Sequence, residues 1–173
     1  RQIGKLRFLT MTRQEKEQLF TKIMDENSRL IYKLCFMYAT DDDHLKDLQQ
    51  ETLINIWQGL DSFRGASKES TWVYRVCLNT CVSYIRKDNK KSECRAIEEV
   101  EDVVDESSQE HAAQLKEMYR LISQLNRLEK AIILLWLDDK QYNEISEILG
   151  MPRNTVATRI RRIKDKLVTL ENS

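Results

Sequence analysis

The stretch Tyr142-Asn143-Glu144-Ile145-Ser146-Glu147-Ile148-Leu149-Gly150-Met151-Pro152-Arg153-Asn154-Thr155-Val156 decides the fold. Its apolar spacing predicts a short helix over 141–149. Gly150 fits the stop of that helix, and Pro152 suits the start of the next. From Arg153 to about Leu170 a longer helix is expected, because Val156, Ile160, Ile163 and Leu167 recur at steps of four, three and four. Two helices meeting across a tight glycine turn make a helix-turn-helix, with Tyr142, Ile145, Ile148 and Val156 filling the angle between them. The other face of the second helix then presents Arg153, Asn154, Thr155, Thr158, Arg159, Arg161, Arg162 and Lys164. Arginine can fork onto guanine and asparagine can bridge adenine in the major groove. Threonine and lysine suit phosphate contacts. The plainer alternative is a solvated basic face on a packing helix; the coincidence of turn chemistry and basic cluster favours duplex DNA.

Outward from this motif the chain reads as helical throughout. It has 173 residues, 41% of them hydrophobic, with one proline and four glycines. That composition supports a packed core and disfavours strands and tight turns. Upstream of the motif, helices are expected over Leu128 to Leu137 and from about Leu115 to Leu125. Nearer the start, the apolar residues predict helices over Arg13 to Ala39, His44 to Leu60 and Ser70 to Lys87, with a break at Asn27–Ser28 and a loop from Asp61 to Glu69. Formal net charge is zero, yet residues 88–113 hold nine acidic against three basic residues. This acidic, aperiodic segment is expected to be a flexible linker between two mildly basic blocks. The fold class is therefore all-α: two small helical domains joined by an acidic linker. The expected boundaries are an extension over 1–12, with Met11 a candidate start, an N-terminal domain over 13–90, a linker over 91–112 and a C-terminal domain over 113–173.

The helix after the acidic turn Asp41–Asp43 has two unlike faces. Leu48, Thr52 and Ile56 form a buried stripe, while Asp47, Gln50, Glu51, Ile54 and Gln58 lie opposite, with Trp57 at their edge. A mixed patch of carboxylate, amide and isolated isoleucine suits docking onto another helical surface. In the next helix Val73, Cys77, Cys81 and Ile85 are the buried stripe, and Trp72, Arg75, Asn79 and Arg86 share another face. Aromatic and guanidinium planes stack on unpaired bases, and basic groups hold phosphates. A tryptophan at a helix start is equally at home in a core, and that alternative stays open for Trp72.

Two motif sets carry a family resemblance. Asp47-Leu48-Gln49-Gln50-Glu51-Thr52-Leu53-Ile54-Asn55-Ile56-Trp57 resembles region 2 of bacterial sigma factors, and Leu125 to Leu167 resembles their region 4. The sets occur in family order, from about Glu17 to Leu170, and point to the small extracytoplasmic-function (ECF) group of the sigma-70 family. The resemblance implies a chain that directs core RNA polymerase to promoters. Docking on the clamp coiled coil of the largest subunit would fall to Asp47, Gln50, Glu51, Ile54, Asn55, Trp57 and Gln58. Contacts to the −10 element would come from Phe63, Arg64, Lys68, Ser70, Trp72, Arg75, Asn79, Arg86 and Lys87, with the 63–70 loop cupping an extruded base. The basic helix face would read the −35 element as the C-terminal domain sits at the polymerase flap. An anti-sigma protein is the further partner implied. Asn154 stands where the family usually has glycine, and Ala157 where lysine is common, so promoter preference does not transfer.

A conventional helix-turn-helix regulator is the alternative function, but it needs a dimerisation surface, and no heptad stripe lies near the motif. Catalysis is not expected: no phosphate-cradling glycine loop or nucleophile–base pair is present. No cofactor is expected. Cys35, Cys77, Cys81 and Cys94 show no disulfide framework; Cys77 and Cys81 are spaced one turn apart, but His44 and His111 are distant in sequence, so buried free thiols are preferred to a zinc site. No apolar run approaches the roughly 18–20 residues that span a membrane, and no signal peptide is visible, so a cytoplasmic location is expected.

Overall fold

A computed structural model describes residues 11–87 and 109–173. Among them are seven helices and no strand: α1 Arg13–Tyr38, α2 Asp42–Gly59, α3 Glu69–Lys87, α4 Gln109–Ser123, α5 Arg127–Leu137, α6 Tyr142–Leu149 and α7 Arg153–Glu171. Local chemistry fixes several starts. Thr12 and Glu15 form a reciprocal capping box at α1, and Asn126 and Glu129 form another at α5, each satisfying backbone donors that the first turn leaves open. Asp41 accepts from the His44 amide at 2.8 Å and caps α2.

Helices α1, α2 and α3 pack into one bundle. Ile23, Leu34, Leu48, Ile56, Leu60, Val73, Cys77 and Cys81 are each 0% exposed at its centre. The C-terminal bundle is built by α4 to α7 around Ile122, Ile132, Leu135, Ile145, Val156 and Ile160. The two bundles are not held apart: α3 packs on α6 and α1 on α5. The Tyr38 hydroxyl donates to the Arg127 carbonyl at 2.5 Å, and the Tyr74 hydroxyl to Asp138 Oδ2 at 3.2 Å. Both rings are buried.

Three boundary expectations change. There is no break at Asn27–Ser28: α1 runs through, because the Asn27 amide donates to the Ile23 carbonyl at 2.9 Å within the helix. Thr12 belongs to the folded bundle as its cap rather than to an extension. Helix α4 begins at Gln109 and takes in the last residues expected of the linker. The rest of the linker, Cys94 included, and residues 1–10 lie outside the described residues.

Candidate nucleic-acid interface

The turn between α6 and α7 is closed by its own chemistry. Gly150 sits at φ 66°, in the left-handed region where a Cβ would be strained. Ser146 Oγ donates to the Met151 carbonyl at 2.5 Å, and the Met151 amide donates back to the Ser146 carbonyl at 3.2 Å. Pro152 precedes the first turn of α7 at φ −59°. Val156, Ile160 and Ile163 then bury one side of α7. Arg153, Asn154, Thr158, Arg159, Arg161, Arg162 and Lys164 are exposed, and Thr155 is half-buried at the edge.

Two of these cations rest on aromatic rings, a support that helical spacing alone does not show. The Arg153 guanidinium lies 5.7 Å from the Tyr142 ring centroid, and Lys164 Nζ lies 3.8 Å from that of Trp136. Such contacts hold a flexible side chain in place without neutralising it. The Thr158 hydroxyl donates to the Asn154 carbonyl at 3.0 Å. Lys166, by contrast, is committed to Glu129 at 2.9 Å and braces α7 against the start of α5.

On α2 the expected stripe is present. Asp47, Gln50, Ile54 and Gln58 are exposed and Glu51 is half-buried. Ile54 is 48% exposed, unusual for a large apolar side chain in this fold. Leu48, Thr52 and Ile56 are 0% exposed on the opposite side. Asn55 and Trp57, beside the stripe, contact neighbouring helices. Asn55 Nδ2 donates to Thr80 Oγ1 on α3 at 2.9 Å. Trp57 packs edge-on to Phe20 at 5.4 Å, with Lys16 Nζ 4.5 Å above its ring. Both side chains are half-buried and tie α2 to its neighbours.

The loop between α2 and α3 turns through Gly65 at φ 68°. The Phe63 ring meets the Trp72 ring at a 39° tilt with centroids 5.0 Å apart, and both are half-buried. Trp72 also covers Gly59: a Cβ there would stand 2.7 Å from Trp72 Cζ2. The indole is therefore built into the bundle against Gly59 and Phe63 while remaining partly exposed. Arg64 is exposed and donates to the Asp61 carbonyl at 3.0 Å. Ser70 is half-buried in the first turn of α3, and Asn79 is exposed. Arg75 Nη2 donates to the Glu147 carbonyl at 2.5 Å, and Lys68 Nζ lies 3.5 Å from Glu144 Oε1. The Gln141 amide, together with Lys68 and Lys140, holds the Glu144 carboxyl below the usual carboxylate range. The side chains of Arg86 and Lys87 lie outside the described residues.

Away from both surfaces, the sulfurs of Cys35, Cys77 and Cys81 converge within 4.8 Å of one another. Sequence spacing joins only Cys77 and Cys81; Cys35 enters through the packing of α1 on α3.

Comparison with known proteins gives these surfaces a family. The sigma-70 region 2 family matches residues 23–91, and the sigma-70 region 4 family matches 115–167. The chain is 31% identical over 166 residues to the ECF RNA polymerase sigma factor SigW of Bacillus subtilis, covering 87% of this chain and 88% of that protein. It is 28% identical over 168 residues to the ECF RNA polymerase sigma-E factor of Escherichia coli K12, covering 87% and 85%. The fold is similar to that of the sigma factor RpoE of Bartonella quintana, solved with the anti-sigma factor NepR. That match has a TM-score of 0.69 at 21% identity and covers 88% of this chain and 96% of that one. CnrH, solved with the cytosolic domain of CnrY, matches with a TM-score of 0.66 at 17% identity, covering 90% and 89%. The region 2 match falls on the bundle that carries the α2 stripe, the region 4 match on the helix-turn-helix bundle, and the chain belongs to the ECF group of the sigma-70 family of RNA polymerase sigma factors.

Proposed function

We propose that this sigma factor docks on core RNA polymerase through the exposed α2 stripe and reads promoter DNA with two separate surfaces. One observation carries the reading: a single chain presents a partly apolar stripe at Asp47, Gln50 and Ile54, and an exposed basic recognition helix at Arg153, Arg159 and Arg162. The stripe has the composition of a protein contact. The recognition helix has that of a major-groove reader. The 63–70 loop with Trp72, Arg75 and Asn79 supplies a third patch, suited to stacking on unpaired −10 bases. Chemistry on nucleotides belongs to the polymerase, and the chain supplies recognition and positioning. Its place of action is the cytoplasm, where polymerase works; no helix among the described residues is long and apolar enough to cross a membrane.

The packed arrangement of the two bundles has a functional consequence. Duplex at ~3.4 Å per base pair puts the −10 and −35 elements roughly 50–60 Å apart. A compact chain of this length has a radius of gyration of about 16 Å. The bundles therefore separate to engage both elements, and the 21 residues between α3 and α4, at ~3.3 Å each when extended, reach roughly 70 Å. An anti-sigma protein acts by holding the bundles together or by covering the α2 stripe. Both structural relatives cited above were solved with a protein partner, which supports this reading.

The test is run-off transcription from a genomic DNA pool with core polymerase, with and without the chain. Discrete new start sites that require the chain are the expected result. Tight sequence-specific DNA binding by the chain alone, with no transcripts in the reconstituted reaction, would instead fit a conventional regulator.

A further inference from the structure

Three thiols meet at the centre of the N-terminal bundle. Cys35 comes from α1, and Cys77 and Cys81 from successive turns of α3. All three are 0% exposed. Their sulfurs lie within 4.8 Å of one another. Thr52 Oγ1, reaching in from α2 and also 0% exposed, stands 3.7 Å from Cys35 Sγ. The surfaces proposed for polymerase and DNA use none of these groups.

We infer that Cys35, Cys77 and Cys81 form a binding site for one thiophilic monovalent cation, Cu(I), held by three sulfurs. Coordination number selects the ion. Among the described residues no histidine or carboxylate completes the group. Zinc in a closed protein site takes four nitrogen, sulfur or carboxylate ligands in a tetrahedron, and a neutral threonine hydroxyl is a poor fourth. Soft thiolate sets suit Cu(I) as well as zinc, but Cu(I) is content with two or three sulfurs. Three sulfurs at ~2.3 Å from one ion sit about 4 Å apart. The observed spacing thus needs to contract by less than about 1 Å, a matter of side-chain adjustment.

All three sulfurs are 0% exposed, so an ion held among them is screened from water and other hard oxygen ligands, which suits a soft cation. Binding is an exchange without electron transfer: each cysteine that bonds the ion does so as thiolate and releases its proton to solvent. The other account of the cluster, three small side chains filling a core, predicts no affinity.

The experiment uses the full chain carrying Cys94→Ser, so that the core thiols are the only cysteines. Anaerobic protein is titrated with Cu(I) in the presence of bicinchoninate as a coloured competitor. The expected result is one equivalent withdrawn per chain, with a raised thermal midpoint. Alkylation of the thiols by iodoacetamide in sub-denaturing urea should slow at least tenfold, a readout that needs no further variant. Cys35→Ala, Cys77→Ala and Cys81→Ala should each lose at least tenfold in affinity while circular dichroism shows them folded. Copper left wholly with the competitor, or unchanged alkylation, overturns the site. Unchanged affinity in the folded alanine variants does so too. One tight equivalent of Zn(II) in place of Cu(I) overturns the choice of ion.

Discussion

The guanidinium of Arg75 donates to the main-chain carbonyl of Glu147 at 2.5 Å. A side chain proposed to meet −10 DNA is thus held by the first helix of the helix-turn-helix. Tyr38–Arg127 and Tyr74–Asp138 close the same contact. The chain alone should bind promoter duplex weakly and bind it well once core polymerase is added. Changing Tyr38→Phe and Tyr74→Phe together removes two cross-bundle bonds worth about 0.5–1.5 kcal/mol each. Energy transfer between dyes on α2 and α7 should then fall. Transfer equal to that of the unchanged chain would show that these bonds do not hold the bundles together.

The two sides of α2 should respond oppositely to substitution. Gln50→Ala with Ile54→Glu alters exposed positions, where changes usually cost within about 0.5 kcal/mol of stability. The pair should nevertheless sharply weaken polymerase binding, because it places a charge in a desolvated apolar contact. Leu48→Ala should lower stability by roughly 2–5 kcal/mol through a core cavity, while its folded fraction still binds. Melting curves and a core-polymerase pulldown on both proteins make the comparison. Wild-type binding by the surface pair would rule out this face as the docking site.

Along α7 the position of a cation should decide what it does. Arg153 stands at the helix start over Tyr142, where side chains reach base edges. Arg153→Ala should relax sequence preference by roughly 1–3 kcal/mol. Arg162 is exposed more than two turns later, so Arg162→Ala should weaken all promoters alike and shallow the salt dependence. Titrations of promoter variants at several salt concentrations distinguish these outcomes. Equal, sequence-independent losses from both changes would remove base reading from Arg153.

Gly59 has no room for a side chain, because its added Cβ would lie 2.7 Å from Trp72 Cζ2. Gly59→Ala should therefore push the indole outward and cost roughly 1–3 kcal/mol by overpacking. The expected signs are a lower thermal midpoint and a shift in tryptophan emission. If both match wild type, the Trp72 ring is not seated on α2.

Alkali should loosen the contact between the bundles. Burial pushes the Tyr38 phenol up, reinforced by Cys81 and Cys77; burial and then Asp138 do the same to Tyr74. Unfolded tyrosine loses its proton near pH ~10. Above that pH the folded chain retains protons that the unfolded chain releases, so stability is full below pH ~10 and falls as pH rises. Urea midpoints from pH 8 to 11 should decline in the wild type and decline less in Tyr38→Phe. A flat wild-type profile would contradict the shifts.

What the sequence determined by itself was periodic or local. Val156, Ile160 and Ile163 recur at helical spacing and are all buried; Leu48, Thr52 and Ile56 do the same on α2. Gly150 is where a left-handed residue ends α6. Such features depend on helical geometry and backbone sterics, both legible within a few residues. The tertiary structure decided what depends on neighbours far along the chain. Asn55 is tied to Thr80 and Trp57 packs on Phe20, partners that helical spacing along α2 does not reveal. Asn27, read as a break, is accommodated inside α1 by its own bond to the Ile23 carbonyl. Cys35 meets Cys77 and Cys81 only because α1 lies against α3. Arg75 meets Glu147 only because α3 lies against α6. Periodicity specifies which face of a helix is buried, whereas side-chain volume and hydrogen-bond satisfaction across the packed faces select the partner that buries it.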